Sequence, residues 1–343
     1  TVCLKRPRSP VRTAILAGLF SALVAQWPSQ PMPSTLFILN PAAGHGCAAG
    51  VWEAFRGDAE RLLPGAVCVR TSGPAHATAI ARDAVTGGAE RIIAVGGDGT
   101  FSEVLEGVMR APAELRRTVA LAALPAGSGC DLARHLAYPK GRLELLELFA
   151  RGPRRLTDVG LVRYRGLDGS GRERHFINIA AFGIAGDVAH HVHRMGKALG
   201  GPLSYALSSA WVLLTARART VRLNCDGRDL SGRYHMGVLA NTSSMGGGML
   251  IAPGASHDDG ALDLVLVSDM SRFRLLRNFP KIYSGTHLAE AGVSLHGVRT
   301  LRAESDETVY LNIDGDADGM LPASFEILPK AVSVLTPVRD RDK

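Results

Sequence analysis

From Thr35 onward, short unbroken apolar runs alternate with stretches whose apolar residues recur every three or four positions. The runs TLFILN (35–40), AVCVRTS (66–72), RIIAVGG (91–97) and TVALAALPAG (118–127) read as strands. The stretches VWEAFRGDAERLL (51–63), AHATAIARDAVTGG (75–88), TFSEVLEGVMR (100–110) and CDLARHLA (130–137) read as helices. Continuous apolar strands alternating with amphipathic helices predict an α/β unit, a doubly wound parallel sheet covered on both faces. Ligands of such sheets sit beyond the carboxyl ends of the strands. The small-residue segments NPAAGHG, TSG, GGDGT and PAGSG all fall at that edge.

After about residue 155 the pattern changes. RRLTDVGLVRY, RHFINIAAF, TVRLNCDG, RDLSGRYHMGVLANTS, ALDLVLVS and TVYLNIDGD are strand-like pieces separated by Gly, Asp, Asn and Ser. Helical stretches near 185–197 and 203–217 interrupt them. This predicts a second, largely antiparallel β domain. The expected division is an extension (1–34), an α/β unit (35–157), a β-rich unit (158–323) and a terminal segment (324–343). Its strand SFEILPKAVSVL (324–335) could return to either unit.

Composition changes this picture little. Hydrophobic content of 46% and charged content of 21% are ordinary for a globular chain. The 39 basic and 32 acidic residues give +7, but Lys5, Arg6, Arg8 and Arg12 stand in a first segment with no acid. The rest is near +3 and lacks aromatic interleaving, which argues against nucleic acid as a partner. Five scattered cysteines without a C-x-x-C pair argue against a disulfide framework or zinc site and favour a reducing compartment. KRPRSPVRTAILAGLFSALVAQWPS is signal-like in outline but short for a membrane span.

The chemistry lies in the glycine loops. Gly96 and Gly97 end a strand, and Thr100 opens a helix. Without β-carbons, such a loop brings backbone N–H groups close to phosphate oxygens. Asp98 would repel phosphate unless a cation such as Mg2+ lay between them. A tight turn with Asp98 as a cap fits these residues equally well. LPAGSGCD (124–131) repeats the design with Gly127, Ser128, Gly129 and Asp131, and LNPAAGHG (39–46) adds a third small-residue turn. Together they predict a site for nucleotide phosphates. None matches G-x-x-x-x-G-K-[ST], and no G-x-G-x-x-G follows the first strand.

GGDGTFSEVLEG, NPAAG, LPAGSGCDLARHL, NIAAFGIAGDV, GGGMLIAPGASHDDGALDLVLV and LNIDGD together resemble the diacylglycerol kinase catalytic-domain family, which includes sphingosine kinases and bacterial lipid kinases. The resemblance runs in order from about 35 to 335. It implies an α/β domain like that of NAD kinases and phosphofructokinases, a β-rich domain, and an active site in the cleft between them. It also implies ATP and Mg2+ as cofactors, a lipid substrate, transient peripheral contact with a membrane from a cytoplasmic location, and it allows a homodimer. By resemblance, Asn40, Pro41, Ala42, Ala43, Gly44, Thr71, Gly96, Gly97, Asp98, Gly99, Thr100, Phe101, Ser102 and Ser128 match ATP-contacting positions. Asp98, Asp131 and Asp158 match acids that organise the Mg2+–ATP network. Asp259 matches a ligand of a second metal site completed at Ser256 and Ala261. Asp314 and Asp316 would face the cleft, Asp316 at the position commonly assigned as base and Asp314 as its competitor.

The chain departs from the family pattern in three places. Ala43 stands where a serine is usual, Cys130 replaces an asparagine, and Asp316 is one methylene shorter than the usual glutamate. Two rival functions follow: an NAD kinase, which shares the first glycine loop, and a catalytically silent nucleotide- or lipid-binding protein. His190, His191 and His193 do not share one helical face, so they are expected to be solvated and not a metal site. The apolar stretch 203–214 reads as core packing or as part of an acyl-chain groove.

Overall fold

The structure, a computed structural model, describes residues 32–127, 129–195, 215–317 and 319–338. Ser128, most of the N-terminal extension and the apolar stretch 203–214 lie outside the described residues.

Four parallel strands, β1 (Thr35–Leu39), β2 (Val67–Arg70), β3 (Arg91–Gly96) and β4 (Ala120–Pro125), run in the order β4-β3-β1-β2. All of β1 is buried, as its unbroken apolar run requires. The helices are α1 (Cys47–Leu62), α2 (His76–Thr86), α3 (Asp98–Met109), α4 (Asp131–His135) and α5 (Arg142–Arg151). In α2, Ala77, Ile80, Ala81, Ala84 and Val85 are buried, the i, i+3, i+4 stripe of a helix lying on a sheet. Trp52 of α1 packs on Phe37 of β1 with ring centroids 4.7 Å apart. Because β2 and β3 flank β1 on opposite sides, chain direction switches between β1 and β3. A crevice opens there, beyond the strand ends.

The second half is antiparallel, as expected. It contains β5 (Arg154–Gly166), β6 (Gly171–Phe176), β7 (Ile179–Gly183), α6 (Ile184–Met195), β8 (Arg219–Cys225), β9 (Arg228–Asp229), β10 (Gly232–Ala240), β11 (Leu262–Ser268), α7 (Arg272–Asn278), β12 (Val293–Val298), β13 (Thr300–Glu304), β14 (Leu311–Ile313) and β15 (Gly319–Leu335). Buried and exposed residues alternate along β8 and β13, the period of a half-covered sheet. RHFINIAAF, read as one strand, is two, and β12, β13, α5 and α7 appear where no element was expected.

β15 ties the two halves together. It runs antiparallel to β5 from Gly319 opposite Gly166 to Leu335 opposite Arg154. At its end, Ser333 and Val334 pair in parallel with Ala120 and Leu121 of β4. The buried Tyr138 hydroxyl donates to the Leu335 carbonyl at 2.7 Å, closing the seam. No helix among the described residues is long and apolar enough to cross a membrane.

Candidate active site

The predicted loops meet at the crevice and lean on one another. The Asn40 side-chain amide donates to the Thr100 hydroxyl at 3.1 Å, joining the β1 loop to the start of α3. A β-carbon on Gly127 would lie 2.5 Å from the Gly97 Cα and 2.8 Å from its nitrogen. One on Gly44 would collide with the Ala126 carbonyl. Gly44 and Gly127 are required for loops to pack on loops, and a β-carbon on Gly97 would come within 3.1 Å of the Gly129 carbonyl. Gly99 differs: a β-carbon there would meet nothing within 4 Å. Its edge of the α3 N-terminus faces open space, and the first N–H groups of a helix have no intrahelical acceptor. That end attracts anions.

Asp98 opens α3 but caps its neighbour. Its carboxylate accepts from the Asp131 N–H at 2.9 and 3.0 Å and from the Leu132 N–H at 3.4 Å. Burial raises its pKa, while these backbone donors pull it back. Asp131 is buried and reaches across to the second half: it accepts from the Ser244 hydroxyl at 3.2 Å and the Gly247 N–H at 2.9 Å, and it pairs with Arg134. His135 follows the same route, meeting Ser243 Oγ at 3.0 Å through Nδ1 and His257 Nδ1 at 2.9 Å through Nε2.

A second seam closes the other side of α3. Glu106 accepts from the His175 N–H at 3.1 Å and contacts the ring Nδ1 at 3.0 Å. Burial alone would raise the Glu106 pKa, but the His175 hydrogen bonds hold it at about 2. Arg174, next along β6, donates to the Ser102 hydroxyl at 3.2 Å and to Asp316 Oδ2 at 2.6 Å. Asp316 is therefore one arginine away from Ser102, at the start of the second turn of α3, and its side chain is 57% exposed.

Asp314 occupies different surroundings. It is buried, and its carboxylate accepts from the Ile177, Asn178 and Ile179 N–H groups at 2.9, 3.0 and 3.0 Å. Burial pushes its pKa up to about 6 against those donors. Positive φ at Asp314 and Gly315, with Ile313 and Asp316 exchanging backbone bonds, makes the NIDGD segment a two-residue hairpin turn of the I′ kind. The turn reading holds, and of the two acids expected to face the cleft Asp314 is instead buried within the turn while Asp316 is exposed.

Three other expectations change. Asp158 does not join Asp98 and Asp131. It is buried and accepts from the Gly260 N–H at 2.7 Å and the Lys330 N–H at 2.6 Å, beside Asp258 and Asp259 in a separate cavity of about 530 Å³. At that second site the Ala261 N–H donates to Asp259, and the Ser256 hydroxyl donates to Asp258. Among the described residues no three acidic, histidine or cysteine side chains converge as a metal cage. With their oxygens occupied by N–H groups and Arg134, Asp98, Asp131 and Asp158 do not fit a shared Mg2+ as direct ligands. Second, Phe101 is 1% exposed and packs in the hydrophobic core, so its ring is a core group, and Thr100 and Ser102 beside it are also buried. Third, His190 stacks on Tyr310 at 3.9 Å and is not simply solvated. Thr71 follows β2 directly with its N–H on the Leu39 carbonyl, at the expected edge.

Arg174 and His175 had no motif to mark them, and Glu106, His135 and His257 stood inside motifs without any role being read for them. Each acquires its partner from a segment at least 69 residues away in sequence.

Comparison with known proteins bears on the whole chain. The diacylglycerol kinase catalytic domain matches residues 34–162, and the YegS C-terminal NAD kinase beta sandwich-like domain matches residues 178–336. A diacylglycerol kinase of Mycobacterium tuberculosis is 32% identical over 305 residues, covering 88% of this chain and 94% of that protein. One from Bacillus subtilis is 30% identical over 270 residues, covering 76% and 85%. The crystal structure of a diacylglycerol kinase from Bacillus anthracis superposes with a TM-score of 0.65 at 19% identity, covering 88% and 96%, a likeness of fold.

Two measurements test this geometry. Gly127→Ala should cost about 2 kcal/mol of stability in urea unfolding, because the Gly97 backbone cannot withdraw. Gly99→Ala should leave stability nearly unchanged, and a comparable loss there would contradict the open edge. The Asp314 pKa is raised, so the folded state binds the extra proton. Its contribution is full below about 3.8 and lost as pH rises to about 6, worth about 3 kcal/mol. Relative to Asp314→Asn, the wild type should therefore gain stability as pH falls from 6 toward 4. A flat difference would place the carboxyl outside its buried cradle.

Proposed function

On the premise that this chain belongs to the diacylglycerol kinase family of ATP-dependent kinases, we propose that it phosphorylates the free hydroxyl of a diacylglycerol-type lipid. The observation that carries this reading is the Ser102–Arg174–Asp316 link, which sets one exposed carboxylate beside the open N-terminus of α3. The names of the curated relatives favour diacylglycerol over a sphingoid base, ceramide or phosphatidylglycerol.

In this reading the loops at Asn40–Gly44, Gly96–Thr100 and Gly127–Asp131 cradle the phosphates of ATP, with the α3 N–H groups near Gly99 closest to the transferred group. Residues 35–157 form the nucleotide unit and 158–323 the lipid unit, with 324–335 returning to the first. The parallel pairing of β15 with β4 supports that division. The acceptor hydroxyl gives its proton to the Asp316 carboxylate as its oxygen bonds to the γ-phosphorus. The bond from that phosphorus to the bridging oxygen breaks, and ADP leaves. Phosphoryl transfer passes through a loose transition state that asks little activation of the nucleophile, so positioning carries most of the work. Arg174 is a positioning residue: it aims Asp316 and offsets its charge. Asp314, with three backbone donors on its oxygens, holds the turn that presents Asp316. No step is routed through Mg2+.

The NAD kinase reading is separated by the same assay. With γ-labelled ATP and a panel of diacylglycerol, sphingosine, ceramide, phosphatidylglycerol and NAD, diacylglycerol should take the label. Labelling of NAD alone would falsify the lipid reading, and binding of ATP with no labelled product would favour a silent binding protein.

Asp316→Asn should lower kcat by about 10²-fold or more with KM for ATP little changed. A variant with wild-type kcat would remove Asp316 from the chemistry. Asp98→Asn should abolish phosphorylation while the folded state survives, and full activity in it would sink the assignment of this loop.

A further inference from the structure

Residues Arg272–Asn278 (α7) and the 3₁₀ turn Phe279–Tyr283 form one continuous helical stretch. Ser271 caps it, its hydroxyl accepting from the Arg274 N–H at 3.4 Å. The inward face is conventional. Leu275, Asn278 and Ile282 are buried, and Leu275 packs with Ile184 and Val188 of α6 and Val267 of β11. The outward face is apolar. Phe273 is 75% exposed, Tyr283 55% and Leu276 39%. Positions 273, 276, 280 and 283 follow the helical repeat, so Phe273, Leu276, Pro280 and Tyr283 make one stripe.

Charge surrounds the stripe. Arg272 and Arg277 are exposed beside it, and Arg274 donates to the Ala291 carbonyl. Glu290 pairs with Lys281 and lies 4.0 Å from Arg277. Between 271 and 291, the four cations Arg272, Arg274, Arg277 and Lys281 meet one carboxylate, Glu290. Exposed aromatic and aliphatic side chains in a row mark a surface meant to be covered. A second copy of the chain would bring like charge against like charge there. An anionic bilayer offers both complements, headgroup phosphates for the arginines and an acyl boundary for the stripe.

We propose that the outward face of residues 272–283 is an anchor that seats this protein on anionic membrane. Phe273, Leu276 and Tyr283 enter the headgroup region, and Arg272 and Arg277 lie against lipid phosphates. Phenolic and guanidinium side chains suit that boundary, with apolar bodies and polar ends. The anchor adjoins the candidate site through one loop. The Leu250 N–H donates to the Ile282 carbonyl at 2.8 Å, and His287 Nε2 lies 3.1 Å from the Ile251 carbonyl. A few residues upstream, Ser244 and Gly247 hold Asp131. Docking the stripe thus sets the cleft at the surface from which a lipid acceptor would enter. That purpose rests on the lipid-kinase reading, whereas the anchor itself does not.

The test is co-sedimentation of the full chain with phosphatidylcholine vesicles, with and without roughly one-third phosphatidylglycerol. The wild type should bind the anionic vesicles. The triple variant Phe273→Ala, Leu276→Ala, Tyr283→Ala should lose about tenfold or more. Arg272→Gln and Arg277→Gln should each lose about fivefold, with the salt dependence reduced. All are surface changes, and thermal unfolding checks that each variant folds. Phosphorylation of a short-chain diacylglycerol dispersed in detergent should be unaffected. Wild-type binding by the triple variant, or no binding by the wild type, overturns the anchor. An equal loss of activity on the dispersed substrate overturns it in favour of an acceptor groove. Loss of a dimer with vesicle binding intact overturns it in favour of self-association. If the chain phosphorylates no lipid yet binds vesicles through the stripe, the functional reading fails and the anchor stands.

Discussion

The Asp98 carboxylate is the contact on which the site depends. It stands at the start of one glycine-loop helix and accepts the N–H groups that start the next. The two loops can approach that closely only because Gly97 and Gly127 have no side chains to separate them. From Asp131 the connection continues into the β-rich half through Ser244 and Gly247. One buried acid therefore aligns both loops, and the next fastens them to the opposite wall. Placing a charge at such a point costs desolvation, visible in its raised pKa, and the aligned N–H donors offset part of that cost.

The same arrangement gives the glycines separate duties. Gly44, Gly97 and Gly127 serve loop-on-loop packing, whereas Gly99 borders open space. On the far side of α3, Glu106–His175 and Ser102–Arg174–Asp316 form a second clamp. With α3 held from both sides, the position of Asp316 relative to α3 is set by charge-assisted hydrogen bonds through Arg174. Such bonds are the strong kind, and they suit a reaction whose rate rests on positioning.

Much of this was legible in the chain itself. The parallel strands and their helices follow from unbroken apolar runs and 3.6-residue stripes, because strands buried on both faces tolerate few polar residues. The glycine loops were legible because they punctuate those runs at the strand ends. The alternation in β13 was present in TLRAE, but five residues with two charges carry too little pattern to separate a strand from a loop. The acids were recognisable as acids, yet their grouping was not. Asp158 sits with Gly260 and Lys330, and Asp314 turns inward while Asp316 faces out, because a hairpin reverses the chain between them.

By itself, then, the sequence determined the fold class, the family and the glycine loops at the strand ends, since all three depend on local pattern and motif order. Only the tertiary structure decided which acid is buried and which is exposed, that Asp98 caps the neighbouring helix, and that Arg174 joins β6 to α3 and Asp316. Each of those facts depends on distance between segments far apart in sequence. Burial and hydrogen-bond saturation, not residue type, separate the acid that holds the turn from the one left at the surface.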